Sequence, residues 1–145
     1  MLSSSNSKSL VEKIAKHTNL PLAQPIKIFP DGEIYVRIDF DLGREGVFLI
    51  QSMFPNQNDA IIEVLLLTDT SIDLRTKRAV GIFLVYSRQD KRFQNGEALS
   101  IKTSARLFKA VSIKEIITVD AHSHRKPQKL FFGISCTNIS AGKLY

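Results

Sequence analysis

A chain of 145 residues with 43% hydrophobic side chains is long enough for one domain built on a single core. The lone cysteine, Cys136, excludes an intrachain disulfide and fits a reducing cytoplasm, while the polar opening and the short apolar runs show neither a signal-peptide pattern nor a membrane-spanning one. A net charge of +6 admits anionic partners, but the basic residues are scattered apart from clusters at 75–78 and 88–92, which disfavours a nucleic-acid module.

Ser9-Leu10-Val11-Glu12 has capping-box spacing, so a first helix is expected from Ser9 with Leu10, Val11, Ile14 and Ala15 on one face. Residues 19–25 read as its exit, and residues 26–28 as a short strand. Pro30-Asp31-Gly32 marks a turn, and residues 34–38 alternate as a half-buried strand does. Residues 42–46 form a second turn, followed by the continuous apolar strand Val47-Phe48-Leu49-Ile50. A polar loop containing Pro55 leads to a helix from Asn58, carried by Ile61, Ile62, Leu65 and Leu66. Within its apolar run 61–67, Glu63 is the lone polar residue. Residues 80–85 are the next strand, residues 97–111 a helix with Ile101, Ala105 and Phe108 aligned, and residues 116–119 another strand. The tail from Leu130 shows no clear period. The alternation of strands and helices predicts an α/β fold, a mostly parallel sheet flanked by helices.

Three apolar strands each empty into polar residues: Gln51-Ser52, Ser87-Arg88-Gln89 and Asp120-Ala121-His122. In a parallel sheet these ends share one edge, the edge where open α/β sheets bind ligands. The densest of them, Tyr86-Ser87-Arg88-Gln89-Asp90-Lys91-Arg92-Phe93, favours an anion, phosphate above all. Arg88 and Gln89 suit a phosphate or a base edge, or else a salt-bridged surface loop. Asp120 and His122, two apart, face one side of a strand and suit a divalent metal or a phosphate contact. Alternatively, Asp120 caps a turn and His122 lies on the surface. Phe29-Pro30-Asp31-Gly32-Glu33 sets an aromatic and two carboxylates around a turn, fit for an adenine ring with its amine or simply for the turn itself. There is no Walker A loop, no GxGxxG, no nucleophile elbow and no zinc spacing. Cys136, in an apolar context, reads as packing.

Four blocks in order resemble the N-terminal half of ribose-phosphate pyrophosphokinases, the archaeal members most. They are Phe29-Pro30-Asp31-Gly32-Glu33; Asn58-Asp59 before an apolar helix; Tyr86-Ser87-Arg88-Gln89-Asp90-Lys91-Arg92-Phe93 with Gly96-Glu97; and Asp120-Ala121-His122 with Phe131-Phe132-Gly133-Ile134 and Asn138. The resemblance implies a phosphoribosyltransferase-like domain and a magnesium-dependent transfer of the diphosphoryl group of ATP to ribose 5-phosphate. The products are AMP and phosphoribosyl pyrophosphate. It implies that Phe29, Asp31 and Glu33 recognise adenine across a subunit boundary of a homo-oligomer. It further implies that Arg88 and Gln89 contact ATP, and that His122, with Asp120 beside it, holds Mg2+. Residues 1–145 would be the ATP side, with the ribose-5-phosphate-binding domain absent, so the chain alone is expected to be inactive. The alternative is a non-catalytic subunit that associates with a complete synthase. Three departures from the family pattern stand out. Met1-Leu2-Ser3 leaves almost nothing for a first strand, the stretch before Tyr86 is about two residues short, and Gly133 replaces an acidic residue.

Overall fold

The computed structural model describes residues 1–77, 79–82, 89–120 and 130–143. Its centre is a six-stranded sheet. The strands are β1 (Leu2–Ser3), β4 (Val47–Ile50), β5 (Ala79–Ile82), β6 (Glu115–Val119), β8 (Ile134–Ile139) and β7 (Leu130–Phe131), in that spatial order. The first five are mutually parallel, and β7 pairs antiparallel with β8. Between β1 and β4, strands β2 (Ile26–Ile28) and β3 (Ile34–Val36) form a separate antiparallel hairpin. Among the described residues, three helices accompany the strands: α1 (Lys8–Thr18), α2 (Gln57–Asp73) and α3 (Ser100–Ala110). The expected mostly parallel sheet with flanking helices is therefore what the chain builds.

Strand alternation assigns the two sheet faces. Val47, Leu49, Ala79, Ile116 and Ile134 point to one face. There they pack with Ala60, Ile61, Val64 and Leu67 of α2 and with Ala105 and Phe108 of α3. Ile26, Val36 and Ile38 extend this core outward, so the hairpin is seated against the same side through its apolar residues. On the opposite face Ile50 and Val80 are buried, whereas Phe48, Val119 and Ile139 are exposed.

Several sequence expectations need correction. The first strand does form: Leu2 and Ser3 pair with Leu49 and Ile50, and Leu2 is fully buried. Two residues suffice because Ser3 also donates its N–H to the Ala23 carbonyl at 2.9 Å, so both sides of β1 are paired. The first helix does not start through a capping box at Ser9. A 3-10 turn at Ser5–Ser7 precedes it, Ser9 lies exposed inside α1, and Ser7 stands at the N-cap without a side-chain capping bond. Ser7 is occupied elsewhere, because its Oγ accepts the Ser52 N–H at 2.5 Å and the Ser4 hydroxyl at 3.1 Å. Of the four residues expected on the inner face of α1, Val11 is buried and Leu10 is exposed. In α2 the buried stripe is Ala60, Ile61, Val64, Leu67, Thr68 and Ser71, leaving Ile62 and Leu66 outside. Thr68 and Ser71 sit on this inner stripe because their hydroxyls donate back to the Val64 and Leu67 carbonyls, at 2.7 and 2.6 Å.

Glu63 is the polar exception of that helix, and it is buried. Its carboxylate accepts the Ser5 N–H at 3.1 Å and the Ser5 hydroxyl, which fastens the 3-10 turn to α2. The helix expected over residues 97–111 begins only at Ser100, for a reason that lies in the loop before it. The tail, read as lacking a period, contains the β7–β8 hairpin, turning at Phe132 and Gly133 with φ of 46° and 86°. Gly133 suits that left-handed position, which a side chain adopts only under strain.

Candidate functional site

The register places Val47–Ile50, Ala79–Ile82 and Glu115–Val119 side by side and parallel, so Gln51 and Asp120 leave the sheet at one edge. Of the convergence expected from sequence, Ser87, Arg88, Ala121 and His122 lie outside the described residues. The three ends are used differently. Gln51 turns inward: it is buried, its Nε2 donates to the Ser52 carbonyl at 3.2 Å, and no partner reaches its Oε1 among the described residues. Beyond it, past a cis Phe54–Pro55 bond, residues 55–59 line a concavity of about 430 Å³ at the start of α2.

After β5 the described chain resumes at Gln89; Arg88 lies outside the described residues. Residues 89–97 form a loop closed by Glu97. The Glu97 carboxylate accepts the N–H groups of Phe93 at 2.7 Å and Gln94 at 3.2 Å, and its carbonyl accepts Arg92 Nε–H at 2.9 Å. Two unpaired backbone donors and one guanidinium are thus satisfied by one residue. Glu97 thus belongs to this loop, and the helix starts three residues later. Ser100, its first residue, donates its hydroxyl to Gln89 Oε1 at 2.5 Å. The Lys91 ammonium lies 4.8 Å from the centre of the Phe93 ring, and that ring is 70% exposed. Sequence reading named Gln89 but missed Ser100 and the closing role of Glu97, for which spacing carries no signal.

After β6, Asp120 adopts φ of 44°, a conformation Asp tolerates better than most residues. Its N–H donates to the Ile139 carbonyl at 2.9 Å, and both carboxylate oxygens lie 3.2 Å from the Ala141 N–H. Asp120 therefore accepts from the start of the 3-10 turn at Ala141–Lys143, while the turn directly after it, which the sequence alternative invoked, lies outside the described residues. His122 lies outside the described residues. Among the described residues, one N–H shared by two oxygens leaves most of the carboxylate's acceptor capacity open. A single exposed carboxylate fits Mg2+, which takes one or two protein carboxylates and completes its octahedron with waters and substrate phosphates. Among the described residues no three His, Cys, Asp or Glu side chains cluster as a metal site.

The hairpin carries the remaining candidates. Phe29 N–H donates to the Glu33 carbonyl at 2.8 Å and Gly32 N–H to the Phe29 carbonyl at 2.9 Å. Asp31 Oδ1 accepts the Glu33 N–H at 3.1 Å, so this carboxylate shapes the turn. Gly32 takes φ of 94° there. The Phe29 ring stands 5.5 Å from Tyr35, tilted by 58°, with Lys27 Nζ 5.7 Å from its centre. Phe29, Asp31 and Glu33 are all exposed.

Parallel strands, a cation-bearing loop and an acidic-aromatic turn define an α/β domain of the kind that binds ligands at the carboxyl edge of its sheet. Comparison with known proteins narrows the class. Residues 1–111 match the family described as the N-terminal domain of ribose phosphate pyrophosphokinase. The ribose-phosphate pyrophosphokinase of Saccharolobus solfataricus is 36% identical over 135 residues, 91% of this chain and 45% of that protein. That of Methanobrevibacter smithii is 38% identical over 144 residues, 97% of this chain and 47% of that protein. The crystal structure of phosphoribosylpyrophosphate synthetase from Mycobacterium smegmatis superposes with a TM-score of 0.89 at 30% identity, covering 99% of this chain and 49% of that one. The chain belongs to the ribose-phosphate pyrophosphokinase family and corresponds to its N-terminal domain. It spans about half the length of the relatives it matches. Among the described residues, no helix is long and apolar enough to cross a membrane.

Proposed function

We propose that this chain is the ATP-binding half of a ribose-phosphate diphosphokinase of the cytoplasm. The reaction transfers the diphosphoryl group of Mg-ATP to ribose 5-phosphate, giving phosphoribosyl pyrophosphate and AMP. The observation that supports it most is the parallel register of β4, β5 and β6 in a member of this family, which brings Gln51 and Asp120 to one sheet edge of the kind that can hold a polyphosphate and its metal. In this reading Phe29, Asp31 and Glu33 recognise adenine, in the site of a neighbouring subunit of a homo-oligomer. Arg88 and Gln89 bind the ATP phosphates. Asp120 and His122 hold Mg2+, which when bound offsets charge on the transferring phosphoryl oxygens. Asp31 orients the adenine turn by accepting the Glu33 N–H, and Gln89 is presented from a braced loop. The acceptor sugar is bound by parts of the enzyme outside these 145 residues.

Calorimetric titration with ATP, with and without Mg2+, tests the reading. Saturable binding that strengthens with Mg2+ is expected, with Arg88→Ala weakening it about tenfold or more. The isolated chain is expected to release no AMP when ribose 5-phosphate is added. Absence of saturable ATP binding, or AMP release by the pure chain, would overturn it.

A further inference from the structure

We infer that Glu97 and Ser100 are positioning residues for nucleotide binding, acting through the loop 89–97 and through Gln89. The inference rests on the ATP-binding reading for its consequence, but its structural part stands on the loop alone. Four donors converge on this short segment. Phe93 N–H and Gln94 N–H reach the Glu97 carboxylate, Arg92 Nε–H reaches the Glu97 carbonyl, and the Ser100 hydroxyl reaches Gln89 Oε1. The loop contains no strand or helix to fix it, so its shape depends on these bonds.

The bonds also divide the work among the charged and polar residues. Arg92 is committed to the loop's own carbonyl, and Lys91 lies over the Phe93 ring. Neither is presented as a bare phosphate clamp. Gln89 differs: with its oxygen engaged by Ser100, the end of the amide left for a ligand is the Nε2 donor. A donor is the polarity a phosphate oxygen needs, and a ring nitrogen of a base needs it too. Without Ser100 the amide is free to turn its oxygen outward, where it would repel an anionic ligand. Ser100 thus sets the sign of the contact Gln89 makes, and Glu97 holds the loop in the shape that delivers it.

The test uses the 145-residue chain with Glu97→Ala, Glu97→Gln, Ser100→Ala and Ser100→Thr. Amide hydrogen exchange at Phe93 and Gln94 reads the loop directly. Glu97→Ala is expected to speed it roughly tenfold or more, since each lost bond is to a carboxylate, and Glu97→Gln, which keeps an acceptor oxygen, to speed it less. Mg-ATP titration reads the consequence. Ser100→Ala is expected to weaken ATP roughly tenfold with the melting temperature unchanged, and Ser100→Thr, which keeps the hydroxyl, to restore it. Wild-type exchange at Phe93 and Gln94 in Glu97→Ala, or wild-type ATP affinity in Ser100→Ala, overturns the inference. If the unaltered chain fails to bind ATP, the nucleotide reading falls and the consequence drawn for Gln89 falls with it. The exchange arm then still decides whether Glu97 holds the loop.

Discussion

Two glutamates perform the same task in opposite surroundings. Glu63, buried in α2, takes a backbone N–H and a hydroxyl from Ser5; Glu97, half-exposed in a loop, takes two backbone N–H groups from Phe93 and Gln94. Each closes a short segment that lacks regular pairing of its own. The difference is what stands behind the bond. Glu63 itself is buried on the core side of α2, so its carboxylate has no water to turn to if it loses Ser5, although Ser5 lies at the surface. Behind Glu97 lies solvent, which replaces a lost partner at little cost. The same bonding pattern should therefore secure the whole fold in one place and only a local conformation in the other.

Substitution at Glu63 gives the largest separation between the two. Glu63→Ala empties a buried position in α2 and releases the 3-10 turn at Ser5, and is expected to lower the unfolding free energy by roughly 3 kcal/mol in urea titrations. A loss no larger than that of Glu97→Ala would break the comparison. Ser7→Ala comes next. Its Oγ joins the start of α1 to Ser52 at the exit of β4, so about 1–2 kcal/mol is expected in the same assay. Glu97→Ala should change global stability by no more than about 0.5 kcal/mol while freeing its loop.

The smallest effect calibrates burial itself. Cys136 packs beside the main core cluster, and burial pushes its thiol up from the ordinary value. Iodoacetamide should therefore alkylate it more slowly than free cysteine at pH 8. Because the folded pKa lies above the unfolded one, Cys136's contribution to stability is whole below the unfolded value and lost as pH rises through the folded one. Unfolding at pH 7 and pH 10, compared with Cys136→Ala, checks the sign. Alkylation as fast as free cysteine would show the site to be as wet as the Glu97 loop.

What was legible in the sequence follows from the same contrast. Val47–Ile50, the turn at Pro30-Asp31-Gly32 and the inner stripe of α3 carry periodic or turn-specific residues, and each formed where expected. The parallel arrangement of β4, β5 and β6 needed only the alternation of elements. Segments fixed by single side chains were not legible. Ser9-Leu10-Val11-Glu12 has the right spacing for a cap, but Ser4 to Ser7 are already tied to Ile50, Ser52 and Glu63, and these bonds decide where α1 begins. Glu97 looked like the first residue of a helix because good helix formers surround it; its carboxylate was committed to the preceding loop. Strand β8 went unseen because Ser135, Thr137 and Asn138 dilute its apolar alternation, although parallel pairing with β6 runs its length from Ser135 to Ile139. The roles of Arg88 and His122 rest on resemblance and await the binding measurements.

The pairing of β1 also sets an order of events during synthesis. Leu2 and Ser3 find their strand partners only at Leu49 and Ile50, and Ser5 finds Glu63 later still. These residues leave the ribosome well before those partners and are thus among the last to be fully secured, since the contacts close a loop of dozens of residues. Until β4 and α2 have emerged, the serine-rich segment is held only by bonds such as that from Ser3 to Ala23, and this is the interval in which a protease or a chaperone would meet it.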